Sequence, residues 1–243
     1  MKIVVVPDMQ IPFHSEAHVK SLARFIRKFR PDQVLCVGDE IDFQTISRWS
    51  SPFEETSGRI GKDRDLTVDI LWDLQITDLS RSNHSDRLFK KLVSRAPGLI
   101  GAPELELENF LKLKELGIRY HKKPYQFLPN WILIHGDEQG INPNAGLSAL
   151  GAARKHGKNV VMGHTHRAGI SSFTEASGGH LGRRLTGVEV GNLMDFRKAS
   201  YTRGTANWQH NFTVIYAKGK LVTPINVPME KDGSFIFEGK IYR

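Results

Sequence analysis

The sequence predicts an α/β fold in which two sheets pack together with helices outside them. Three observations predict it. Short apolar runs alternate with amphipathic stretches early in the chain, as β-α-β units require. The later part breaks into short strands separated by turn residues. Several apolar runs stop at carboxylate, amide or imidazole residues, the sheet edge where open α/β folds place their chemistry. The 243 residues are 40% apolar, enough for a sizeable core. They read as one domain over 1–243, with the chemical motifs within 3–191 and a β-rich part over 205–243.

Residues 3–6 form a buried strand ended by Pro7. Ser15 can cap a helix whose apolar face is Val19, Leu22, Ala23, Ile26 and Phe29. Pro31-Asp32 stops that helix, and residues 34–37 form the next strand. Such a unit makes its two strands parallel, so Asp8 and Asp39 leave the sheet at one edge. Residues 41–49 read as helical and 52–61 as a loop. Residues 63–75 read as a helix with Leu66, Ile70, Leu71 and Leu74 inward. Residues 79–81 are a poorly apolar short strand, and Ser85-Asp86 can cap a helix running to 92. Pro103-Glu104 starts another helix that runs to 116 and ends at Gly117. Residues 118–121 and 131–134 are strands; 145–156 is a small-residue helix suited to close packing on a sheet; 159–162 is the next strand. Short strands follow at 169–173, 185–190, 212–217, 221–225 and 235–237, with Gly219-Lys220 and Asp232-Gly233 as hairpin signals.

Cys36 stands alone in an apolar run, so no intramolecular disulfide is possible and a reducing compartment is expected. The first apolar run is too short for a signal peptide, and no stretch approaches a membrane span. A cytoplasmic location without a membrane partner is the expectation. The 34 basic against 26 acidic side chains give +8, which suits an anionic partner such as a phosphorylated metabolite or nucleic acid, although the cations are scattered.

Five segments share one design, with polar residues where an apolar run stops or a turn begins: Asp8/Gln10, Asp39/Asp42, Asn83/His84, His135, and His164/His166. Oxygen and imidazole donors together suit Mn, Fe, Zn, Ni or Co better than Ca, and no cysteine ligand argues for a structural zinc. His164 and His166 share a face on a strand, or address two adjacent ions from a tight turn.

The ordered series Asp8-Met9-Gln10, Gly38-Asp39-Glu40-Ile41-Asp42, Ser82-Asn83-His84-Ser85, His135-Gly136-Asp137 and Gly163-His164-Thr165-His166 resembles that of the calcineurin-like metallophosphoesterases. It covers residues 3 to about 191. The resemblance implies a four-layer α-β-β-α sandwich with mixed sheets. It implies two divalent ions, manganese first, with Fe, Zn, Ni, Co or Mg as alternatives. Asp8, Gln10, Asp39 and His166 would hold the first ion, and Asp39, Asn83, His135 and His164 the second, so that Asp39 bridges them. A hydroxide between the ions would attack phosphorus in line. His84 would give a proton to the leaving oxygen. Asp42 would orient His84 or a ligand, or else act only as a helix N-terminal carboxylate.

Two residues depart from the family pattern. Gln10 stands where histidine is usual. Ser82 stands where glycine is usual, and a positive φ there would strain serine by about 1 kcal/mol. Phe43-Gln44 and Ser85-Asp86 are unlike the protein Ser/Thr phosphatases, so the implied activity is a phosphodiesterase on cyclic nucleotides or other small phosphodiesters. A DNA or RNA nuclease of the same family is one alternative; it calls for a basic stripe, for which Arg167, Arg197, Lys198 and Arg203 are candidates. Arg167 is also the substrate-binding candidate. A binding scaffold of the same fold with weak or lost catalysis is the other alternative, to which Gln10 and Ser82 point. Trp49, Trp131, Tyr201, Trp208 and Phe212 could flank a base or ester group, and His210 could reach the site from a late loop.

Overall fold

Strand Lys2–Val6 (β1) and strand Gln33–Cys36 (β2) pair in parallel, with Val4 opposite Val34, and helix Glu16–Phe29 (α1) connects them. The computed structural model describes residues 1–47, 58–199 and 206–243. Ser15 occupies the N-cap position of α1, yet its hydroxyl lies 2.7 Å from His18 Nδ1 and caps no backbone N–H. Asp78–Ser80 (β3) and Arg119–His121 (β4) extend the parallel run. Asn211–Lys218 (β10) adds antiparallel to β1, and Leu221–Pro228 (β11) adds antiparallel to β10. The result is a six-stranded mixed sheet.

A five-stranded sheet holds Tyr125–Leu128 (β5), Trp131–Ile134 (β6), Asn159–Met162 (β7), Ala168–Ser177 (β8) and His180–Val190 (β9), in the order β5-β6-β7-β9-β8. Here β6, β7 and β9 run parallel, with β5 and β8 antiparallel at the edges.

Strand side chains alternate between faces, and that alternation builds the layers. Ile3, Val5, Leu35 and Val37 point between the sheets and meet Leu133, Val161, Val188 and Val190. Val4, Val6, Val34 and Cys36 point the other way, onto Leu22, Phe25 and Ile26 of α1. On the far side, Ile132, Ile134, Val160 and Met162 pack against Ala149, Ala152 and Ala153 of helix Leu147–His156 (α5). Helix, sheet, sheet and helix therefore stack as four layers, the sandwich that the motif resemblance implied.

Several local expectations are corrected. Where 41–49 reads as helical, the described part is a single 3-10 turn, Gln44–Ile46; Trp49 lies outside the described residues, as does most of 52–61. Helix Arg59–Asp73 (α2) buries Thr67, Ile70 and Leu71, with Leu74 just beyond it, while Leu66 is 39% exposed. Its buried stripe runs through 67, 70, 71 and 74, and Leu66 sits one helical step off it. Helix Asp86–Arg95 (α3) follows β3. The helix expected over 103–116 is only a 3-10 turn at Pro103–Leu105 and the short Leu107–Phe110 (α4). Leu111 and Leu113 are both buried, and two side chains two apart cannot share one helix face; the chain breaks at Lys112, φ 52°. The strands at 169–173 and 185–190 grow into the long β8–β9 hairpin, whose outer end is exposed and so carries no apolar signal. Asp232-Gly233 turns the chain, but the hairpin beyond it is Phe235–Phe237 (β12) with Lys240–Tyr242 (β13), joined through Glu238-Gly239. Trp131 and Phe212 are core residues.

Candidate metal centre

Each strand-end residue follows a strand whose burial fixes its direction. Asp8 follows β1, Asp39 follows β2, Asn83 and His84 follow β3, His135 follows β6, and His164 and His166 follow β7. The first three strands belong to one sheet and the last two to the other, so the residues meet across the sandwich. The Asp39 carbonyl accepts from Met9 N at 3.1 Å and Gln10 N at 2.7 Å, tying the first two loops together.

Two clusters result, and Asp39 belongs to both. Asp39, His135 and His164 form one, and Asp8, Asp39 and His166 the other, each with its donor atoms within 4.8 Å. His135 Nε2 is 3.4 Å from Asp39 Oδ1, and His166 Nε2 is 3.1 Å from Asp8 Oδ2. The backbone N–H of His164 donates to Asp8 Oδ2 at 2.8 Å. His135 Nδ1 lies 3.1 Å from the Val37 carbonyl, which can only accept, so Nδ1 carries the hydrogen in the neutral ring. Its Nε2 lone pair then faces Asn83 Oδ1, at 2.9 Å, and Asp39 Oδ1. Three acceptors converge with no proton between them, which is the donor set of a cation. Asp8 Oδ1 and Asp39 Oδ1 are buried without a hydrogen-bond partner among the described residues. Such oxygens are costly unless a positive ion faces them. Carboxylate, amide and imidazole donors at this spacing fit a pair of divalent ions.

Electrostatics follow the same geometry. Burial lowers His164. Burial would lower His84 too, but the Asp39 and Asp42 carboxylates raise it overall, against Arg87. His84 Nδ1 is 3.1 Å from Asp42 Oδ2, and its Nε2 is 3.7 Å from Asp39 Oδ2. No helix begins at Asp42; its carboxylate faces His84 and Arg87 instead.

Backbone strain lies elsewhere than expected. Ser82 is not in the left-handed region; Gln10, Asp39, His164 and His166 are, at φ 48°, 50°, 65° and 58°. The glycine needed near Ser82 is Gly38 across the site, at φ 102°, where a Cβ would stand 2.7 Å from Ser82 Cβ. Ser82 Oγ lies 2.8 Å from Ser85 Oγ, which donates to Glu40 at 3.1 Å. Burial pushes Glu40 up to about 7. Gln10 directs its amide nitrogen at Asp39 Oδ2, 3.2 Å, and at His166 Nε2, 3.3 Å; a half-turn of the amide would present its oxygen there.

The described outer cations meet other partners. Arg167 donates to the Asn142 carbonyl at 2.9 Å. Arg197 pairs with Asp195 at 2.8 Å, and Lys198 donates to the Pro12 carbonyl at 3.2 Å. Arg203 and Tyr201 lie outside the described residues. His210 Nε2 is held 2.7 Å from the Met194 carbonyl, with its ring 3.9 Å from that of His18. Trp208 does reach the centre, edge to face with His166 at 4.3 Å.

Sequence reasoning missed three neighbours. Arg87 contacts both His84 and Asp42; its spacing of three from His84 at the start of a helix was the available signal. Asn192, fully buried, donates to the His166 carbonyl at 3.1 Å; it follows the apolar end of β9, the same strand-end design. Arg81 grips Asp137 through both carboxylate oxygens at 2.6 and 2.8 Å and also binds Asp86, so it ties the Asn83 and His135 loops together.

No protein-family model matches the chain. It is 34% identical over 253 residues to the Gene 54 protein of Mycobacterium phage D29, covering 99% of this chain and 98% of that protein. It is 32% identical over 252 residues to the Gene 54 protein of Mycobacterium phage L5, with the same coverage. Among solved structures, Vps29 of Chaetomium thermophilum aligns with 95% of this chain and 89% of its own, at 13% identity and a TM-score of 0.48. The E. coli phosphoesterase YfcE aligns with 98% of this chain and 97% of its own, at 14% identity and a TM-score of 0.45.

Proposed function

The chain belongs to the family of the mycobacteriophage Gene 54 proteins and carries the calcineurin-like metallophosphoesterase motif series on an α-β-β-α sandwich; from that premise we propose that it is a dinuclear-metal-dependent phosphoesterase acting on small phosphodiesters, cyclic nucleotides among them. The observation that carries the reading is Asp39, shared by two buried carboxylate-imidazole clusters with the His84–Asp42 pair beside it. On this reading Asp8, Asp39 and His166, with Gln10, hold one ion, and Asp39, Asn83, His135 and His164 the other. Divalent ions bound there, manganese the first choice, supply charge neutralisation at the phosphoryl group and a lowered pKa for a water. The chain's own contribution to bond breaking is His84. The Asp42 carboxylate stands 3.1 Å from its Nδ1, and the raised affinity for a proton suits delivery from Nε2 to the leaving oxygen.

Hydrolysis of bis(p-nitrophenyl) phosphate with added Mn2+ tests the reading. His84→Ala should slow turnover by about 10²–10⁴-fold, and Asp39→Ala should abolish both turnover and metal binding. No turnover with any divalent metal would refute it.

A further inference from the structure

We propose that Arg87 binds the anionic oxygens of the substrate's phosphoryl group on the leaving-group side of the centre. The inference rests on the phosphoesterase reading above. Arg87 lies in the first turn of α3, three residues after His84. Its Nη2 is 2.9 Å from His84 Nε2, and its Nη1 donates to Asp42 Oδ1 at 3.0 Å and to the Asp42 carbonyl. His84 Nε2 also faces the shared carboxylate, 3.7 Å from Asp39 Oδ2. The guanidinium therefore stands one hydrogen bond from the atom that hands over the proton, where an ester oxygen has to arrive.

Charge pairing separates Arg87 from Arg81, which also lies near the centre. Arg81 is neutralised by two carboxylates, Asp86 and Asp137. Among the described residues Arg87 pairs with one carboxylate, Asp42, which also serves His84; its remaining partners are a carbonyl and the His84 ring nitrogen. The Arg87 side chain is 27% exposed against 11% for Asp42, so a ligand can reach it without disturbing the carboxylate beneath. A guanidinium offers five N–H donors in a planar fork that matches two phosphoryl oxygens. The fork is anchored on one side by Asp42, which leaves the Nη2 side to exchange its ring nitrogen partner for phosphate oxygen.

The test is calorimetric titration of inorganic phosphate into the Mn2+-loaded full chain, alongside KM and kcat for bis(p-nitrophenyl) phosphate. Arg87→Gln, planar and uncharged, should weaken phosphate binding by roughly ten- to a hundredfold and raise KM in parallel. Arg87→Lys should recover part of the loss, keeping the charge without the fork. Phosphate affinity within about twofold of the unaltered protein in folded Arg87→Gln, with the loss confined to kcat, would overturn the proposal and leave Arg87 a positioning residue for His84. If Arg87→Gln does not fold, unchanged phosphate affinity in Arg87→Lys overturns it equally. An unaltered protein that binds no phosphate overturns it as well. One that binds phosphate through Arg87 yet hydrolyses nothing keeps this proposal and removes the phosphoesterase reading.

Discussion

Gly163→Ala isolates the packing that holds Asp8 in place. Gly163 sits where β7 ends, in a conformation that alanine can adopt, because its φ lies outside the left-handed region. The cost of a methyl group is therefore steric. A Cβ built there meets Asp8 Oδ1 at 2.1 Å and Val37 Cγ2 at 2.5 Å. Both neighbours are fully buried, so neither can swing into solvent. Asp8 Oδ1 would have to recede by about 1 Å to reach ordinary contact. That motion also strains the hydrogen bond from His164 N to Asp8 Oδ2, 2.8 Å, and with it the turn that carries both histidines. Overpacking of this kind costs about 1–3 kcal/mol, and the upper half of that range applies because two rigid neighbours are struck. For a chain of this size the melting temperature should fall by about 4–12 °C. Thermal unfolding of the metal-free protein reads the stability, and Mn2+ titration reads the site, where affinity should drop by at least about tenfold. Stability within about 0.5 kcal/mol of the parent together with unchanged Mn2+ affinity would refute the claim that Gly163 leaves the space Asp8 needs.

Two predictions concern the scaffold around the centre. Burial, then Lys198, lowers His14 to about 4, and burial, then His210, lowers His18 to about 4, from 6.5. The unfolded chain takes up these protons first, so stability should fall as pH drops from about 6.5 to about 4 and level off below; a His14→Gln/His18→Gln variant whose urea midpoints keep the parent's full slope would contradict this. Glu189, fully buried, accepts from Ser148 N at 3.0 Å and Ala149 N at 3.3 Å and so caps α5. Glu189→Ala should cost about 1–3 kcal/mol in urea unfolding by orphaning those N–H groups, and a loss below about 0.5 kcal/mol would show that the cap contributes little.

Much of this architecture was legible because parallel strands buried on both faces read as unbroken apolar runs. β1, β2, β6 and β7 are of that kind, and the polar residues just beyond them stood out as candidates for the same reason. Poorly apolar β3 was placed by its neighbours, since its Asp78 is buried beneath Arg119 and His121. Local pattern failed where tertiary demand overrode it. Leu111 and Leu113 had to face one core and broke a helix that propensity favoured. Ser82 required no positive φ because Gly38 clears the space from another strand, a relation no single segment contains. Arg87 was hidden for a similar reason, since its meaning depends on Asp42, 45 residues away.

The left-handed backbone at four residues of the centre bears on how the protein could be redesigned. Gln10, Asp39, His164 and His166 sit at φ 48–65°, a region that Asn, Asp and His enter far more readily than other side chains, and that β-branched residues avoid. Donor chemistry and backbone geometry thus constrain the same positions, and the alphabet that satisfies both is short. On the proposed reading, retuning the centre for a different ion by exchanging these four residues would mostly exchange Asp, Asn and His among themselves. Asp8, Asn83 and His135 are outside the left-handed region. Those three are the positions through which a new class of ligand, a glutamate or a cysteine, could be introduced without first rebuilding the turns.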